Sequence, residues 1–149
     1  KAVKDLKFNY ITIHISSGIE AIKAAKKFSG KTKLIGVTVL TSLNDKSLKQ
    51  IGFNKKVKDL VLYQARLAAK IKLDGIVCSP QEIKIVKKVF DKEIITPGIR
   101  IEGDKKGDQK RVMTPKQAFS NGATALVMGR SLTRGDIKRN IQKLIKELK

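Results

Sequence analysis

Five short apolar runs recur along the chain: YITIHI (10–15), LIGVTV (34–39), GIVC (75–78), EIIT (93–96) and TALVMG (124–129). They do not alternate apolar with polar residues. Near-continuous runs of this length suit parallel strands covered on both faces. Segments with helical periodicity separate them. In the first, Ala21, Ala24, Ala25 and Phe28 fall at i, i+3, i+4 and i+7. In the last, Ile137, Ile141, Leu144, Ile145 and Leu148 form one apolar stripe. The connection from 40 to 55 is long enough to hold a short helix around Leu48 and Ile51. Two helix starts carry capping boxes: Ser79-Pro80-Gln81-Glu82 and Thr114-Pro115-Lys116-Gln117.

A strand followed by a helix, repeated along the chain, means an α/β fold with a parallel sheet. Two architectures satisfy that pattern. A doubly wound sheet suits a chain of 149 residues. A (β/α)8 barrel needs eight units and typically about 250 residues. Length alone favours the doubly wound sheet. No internal repeat, low-complexity tract or linker divides the sequence, so residues 1–149 read as a single domain.

Composition narrows the function classes. No run of about 18 apolar residues is present, so no membrane-spanning helix is expected. No signal-peptide pattern is visible. The single cysteine, Cys78, has no internal disulfide partner, which fits a reducing cytoplasm. The net charge is +20, from 33 Lys and Arg against 13 Asp and Glu. Such an excess suits a binder of nucleic-acid phosphates. However, the lysines are scattered over every helix and are not interleaved with aromatics for base stacking. A solvated lysine coat accounts for them, and its field would still draw in a small anionic substrate.

In either architecture ligands bind at the carboxyl ends of the strands. Those ends read His14-Ile15-Ser16-Ser17-Gly18, Thr41-Ser42, Cys78-Ser79, Pro97-Gly98-Ile99-Arg100 and Gly129-Arg130-Ser131. Gly129 lets a backbone approach a ligand closely. Arg130 offers a planar donor fork suited to phosphate. Arg100 and Arg130 on successive strand ends, with the long polar loop 101–114 between them, point to an anion site. A solvated turn is the plainer reading of either arginine alone. His14, the only histidine, reads as a packed strand-end residue, Cys78 as core and Asp74 as a turn residue. Asp104 and Asp108 read as solvated. No P-loop, CxxC, HExxH or Asp-x-Lys-x-x-Asp motif occurs.

The pieces ITIHISSG, LIGVTVLTS, LDGIVCSPQE, ITPGIR, GDQKRVMTP and ALVMGRSLT, in this order and spacing, resemble orotidine 5′-phosphate decarboxylase over essentially the whole chain. The resemblance implies a partial (β/α)8 TIM barrel made of the last five βα units, and it displaces the doubly wound reading. It also implies an incomplete decarboxylase barrel: the family's first three strands, with its catalytic Asp-x-Lys-x-x-Asp motif, fall before Lys1. The family reaction removes CO2 from C6 of orotidine monophosphate to give uridine monophosphate, in pyrimidine synthesis, without metal or organic cofactor. Carried over by position, Thr41 matches a substrate-contacting threonine and Ser42 a serine facing the pyrimidine. Arg100 matches the arginine ending the seventh strand, and Gln109 the lid glutamine that reaches the phosphate. Gly129 and Arg130 match the phosphate-binding pair. None of the six is the proton donor, so no catalytic residue is assigned. The resemblance further implies a cytoplasmic homodimer. Two other readings remain open at this stage: a non-enzymatic basic nucleic-acid-binding domain, and another phosphate-binding barrel enzyme of the same superfamily.

Overall fold

The computed structural model describes residues 6–104 and 111–149. The five apolar runs form strands β1 (Tyr10–His14), β2 (Lys33–Val37), β3 (Gly75–Val77), β4 (Glu93–Thr96) and β5 (Ala125–Leu126). All neighbours pair in parallel, in the order β1-β2-β3-β4-β5. That order decides between the two architectures. A doubly wound sheet reverses its strand order partway so that helices cover both faces. Here each crossover advances one strand in the same direction. Right-handed crossovers of that kind place every helix on one face and curl the sheet toward a barrel. The doubly wound expectation from length alone is therefore wrong, and the barrel-like arc of βα units is what forms.

Register separates the two faces. Ile11, Ile13, Leu34, Ile76, Ile94 and Leu126 fall on one face, and all belong to or pack against the hydrophobic core. The helices lie there: α1 (Ile19–Ser29), α2 (Asp45–Gln50), α3 (Val57–Ile71), α4 (Ile83–Lys87) and α5 (Pro115–Ser120) contribute Ile22, Leu48, Val61, Ala65, Ile83, Val86 and Ala118 to that core. Gly36 is what lets this layer close. A Cβ there would lie 2.7 Å from Leu73 Cδ1 and 2.9 Å from Ile15 Cδ1.

The opposite face carries Tyr10, Thr12, His14, Val37, Val77, Ile95 and Ala125, none of which joins the core cluster. Ile35 is buried on it, above Gly75, and Lys33 pairs with Glu93 across it at the amino end. Hydrogen bonding and attraction to Glu93 raise the Lys33 pKa above its ordinary value of 10.5. Lys33 therefore keeps its charge at neutral pH, and its side of the pair is lost as pH rises past that range.

The edges of the arc are apolar. At one edge, Phe8, Ile11, Ala24, Ala25, Phe28 and Leu34 are among the residues lining a groove of about 360 Å³. At the other, Val127 is 53% exposed, and α7 (Ile137–Leu148) shows Ile137, Ile141, Ile145 and Leu148 to solvent. Both helical stripes read from the sequence exist, but neither is fully covered. In α1 it is Ile22 that reaches the core, while Ala24 and Phe28 face the groove.

Two outcomes follow from this packing. Contiguous apolar surface of this kind drives association, so the 149-residue chain is expected to sediment as more than a monomer; a monodisperse monomer with a single cooperative melt would contradict it. Gly36→Ala is expected to cost roughly 1–3 kcal/mol through overpacking, read from denaturant midpoints; an unchanged midpoint would show that Leu73 and Ile15 can give way.

Candidate active site

Five of the six substrate positions named from the sequence are described, and all five leave the sheet at its carboxyl end. Thr41 and Ser42 sit in the turn after β2. This turn begins where Thr38 extends the pairing with β3: its N–H and Oγ1 both donate to the Val77 carbonyl, at 3.1 and 2.8 Å. It closes where Leu43 N–H donates to the Leu40 carbonyl at 3.0 Å. Thr41 is buried and Ser42 half-buried.

Arg100 follows β4. Its backbone N–H donates to the Met113 carbonyl at 3.0 Å, and the Met113 N–H donates back to Gly98 at 3.4 Å. The two roots of the polar loop are thereby stapled together. Gly98, at φ 79°, supplies the left-handed turn that brings the chain to this staple. The Arg100 guanidinium is buried, with Nη1 donating to the Ile99 carbonyl at 2.8 Å. Gln109 lies outside the described residues.

Gly129 and Arg130 follow β5 and open α6 (Arg130–Thr133). A Cβ on Gly129 would meet nothing within 4 Å among the described residues. Its lack of a side chain is thus not demanded by the protein's own packing, and space is open beside the backbone there. Arg130 is half-buried. β4 and β5 are paired neighbours, Thr96 beside Leu126, so the Arg100 and Arg130 loops emerge side by side.

Other strand-end residues sort differently. His14 is exposed on the open face, which corrects the expectation of a packed histidine; among the described residues, Ser17 Oγ donates to its carbonyl at 2.6 Å. Asp74 lies at the amino end, where Oδ2 accepts from Leu34 N–H at 2.9 Å, so its work is structural. Cys78 is buried, and burial first, then the Glu82 carboxylate, pushes its thiol pKa up to about 12 against a smaller opposing pull from Arg111.

Glu82 and Arg111 went unread as a pair. The expected capping box at 79–82 does not form in full. Ser79 Oγ accepts from Gln81 N–H at 3.3 Å, but the helix begins only at Ile83. The Glu82 carboxylate turns instead to Arg111, whose Nη1 lies 2.7 Å from Glu82 Oε1. This is an ionic contact outside hydrogen-bond geometry. Both side chains are less than a tenth exposed. Arg111 Nη2 also donates to the Leu40 carbonyl at 2.7 Å. No local sequence pattern links two residues this far apart. The box at 114–117 does form: Thr114 Oγ1 accepts from Gln117 N–H, and Gln117 Oε1 accepts from Thr114 N–H, each at 3.4 Å.

Because the Cys78 thiol is buried and held protonated, a thiol reagent at pH 8 is expected to label it only once the protein is denatured. Fast labelling of the folded chain would show that the carboxyl end of β3 opens readily.

The model of the Orotidine 5′-phosphate decarboxylase / HUMPS family matches residues 1–143. The orotidine 5′-phosphate decarboxylase of Coxiella burnetii is 43% identical over 158 residues, covering 100% of this chain and 67% of the relative. That of Actinobacillus pleuropneumoniae is 41% identical over 152 residues, covering 97% and 66%. The crystal structure of orotidine 5′-phosphate decarboxylase from Lactobacillus acidophilus matches with a TM-score of 0.81 at 31% identity, over 99% of this chain and 66% of that one. The chain thus spans about two thirds of the length of these relatives. It belongs to the orotidine 5′-phosphate decarboxylase / HUMPS family.

Proposed function

We propose that this chain forms the phosphate- and pyrimidine-binding portion of an orotidine 5′-phosphate decarboxylase, a carboxy-lyase that converts orotidine monophosphate to uridine monophosphate in pyrimidine synthesis. The observation that carries the reading is positional. Within a chain of this family, Thr41, Ser42, Arg100, Gly129 and Arg130 all stand in loops at the carboxyl end of a parallel arc, where barrel enzymes hold their substrates. Residues 1–149 hold no Asp-x-Lys-x-x-Asp motif. We place the proton donor on polypeptide that completes the barrel, packed against the apolar edges beside β1 and α7. A cytoplasmic homodimer completes this reading. Among the described residues, no helix is long and apolar enough to cross a membrane.

Each matched residue has a part in the chemistry. Arg130 and Arg100 supply guanidinium donors for the phosphate dianion, with Gly129 leaving its backbone bare beside it. Gln109 reaches the phosphate from the loop whose roots are stapled at Gly98, Arg100 and Met113. Thr41 and Ser42 hold the pyrimidine from the adjoining loop. Phosphate is remote from C6, so its binding energy acts through loop closure, which excludes water and assembles the site. The negative charge that develops at C6 on loss of CO2 is then met by placed dipoles and by the donor.

Uridine monophosphate is expected to bind the chain, and Arg130→Ala to weaken that binding about ten- to a hundredfold, the size of one lost charged hydrogen bond. Calorimetric titration of both folded proteins checks this. No binding by the parent chain, or equal binding by the variant, would sink the assignment. A steeply salt-dependent affinity for RNA or DNA that uridine monophosphate leaves unchanged would favour a nucleic-acid binder instead.

A further inference from the structure

Arg111 and Glu82 are not among the six substrate positions, yet they tie together the loops that carry them. Arg111 leaves the C-terminal root of the polar loop, close to Met113, and turns inward until it is 7% exposed. Its Nη2 donates to the Leu40 carbonyl at 2.7 Å and lies 3.4 Å from that of Val39. Those carbonyls immediately precede Thr41 and Ser42. From the segment after β3, Glu82 holds the same guanidinium through the 2.7 Å contact at Nη1. One planar fork therefore joins the loops that follow β2, β3 and β4.

Apolar packing fixes only part of the turn that Arg111 grips: Val39 belongs to the core and Leu43 packs against it, whereas the Leu40 side chain is 49% exposed, so at Leu40 the turn is held through the carbonyl. Stability is also a weak reason for a buried ion pair, since apolar residues of similar volume often serve as well. What a guanidinium adds is direction: Nη2 is aimed at the Leu40 and Val39 carbonyls while the charge at Nη1 meets Glu82.

We propose that Arg111 is a positioning residue. It sets the pyrimidine-side turn at 38–42 against the root of the phosphate-side loop, so that phosphate binding on one is transmitted to the pyrimidine contacts on the other. Glu82 orients the fork. This inference rests on the decarboxylase reading above and adds to it a coupling between two parts of the same site.

The test measures binding of uridine monophosphate and of inorganic phosphate to the 149-residue chain. It compares the parent, Arg111→Lys and the double variant Arg111→Met with Glu82→Leu, each with a melting curve. The double variant removes both buried charges, so neither is stranded. It is expected to bind inorganic phosphate within about twofold of the parent but uridine monophosphate about tenfold more weakly, the order of one coupling between neighbouring groups. Arg111→Lys keeps the charge without the fork and should fall between. Unchanged nucleotide affinity in both variants overturns the proposal. So does a parallel loss of nucleotide and phosphate binding, which is general loosening. If neither variant melts cooperatively, the pair is a requirement of the fold and the positioning role is rejected. A parent chain that does not bind uridine monophosphate sinks the decarboxylase reading first, and the coupling with it.

Discussion

Strand order is the constraint on which the rest of this structure depends. A parallel sheet that adds each new strand to the same edge must send every helix to the same face. One face is then sealed by Ile22, Leu34, Ile76, Ile94 and their helical partners. The other face keeps Thr12, His14, Val37, Val77 and Ile95 at least partly open. The same order sends all connections out of the carboxyl end in a row. The proposed substrate positions lie in those connections, where loops distant in sequence share one surface.

The polar loop after β4 illustrates how such a surface is made firm enough to hold a ligand. Its two roots are bound to each other through Arg100 and Met113, its exit is set by the Thr114 capping box, and Arg111 binds it to the turn after β2. Losing one partner of a buried pair such as Arg111 and Glu82 costs on the order of 3–5 kcal/mol. Under the proposed function, roots held in this way leave phosphate-binding energy free for assembling the site.

Much of this was legible in the residues. The apolar runs located all five strands, because a strand buried on its helix face and half-covered on the other has little room for polar residues. The helix around Leu48 and the box at 114–117 were equally plain. The architecture was not legible from length, since periodicity fixes element type and says nothing of strand order. Local chemistry also misled where tertiary contacts outbid it. Glu82 has the spacing of a capping residue but answers to Arg111. The α1 stripe has helical spacing but meets a groove, with Ile22 taking the core. His14 ends an apolar strand yet projects from the open face, where its chain neighbours gave no hint of exposure.

The central claim is that the carboxyl end of this arc binds a nucleotide by its phosphate. A crystal structure of the chain with uridine monophosphate tests it most directly. The account predicts the phosphate beside Gly129 and within hydrogen-bonding distance of the Arg130 guanidinium, with the pyrimidine toward Thr41 and Ser42. A nucleotide seated at the amino end near Lys33 and Asp74, or scattered over the surface lysines, would contradict it.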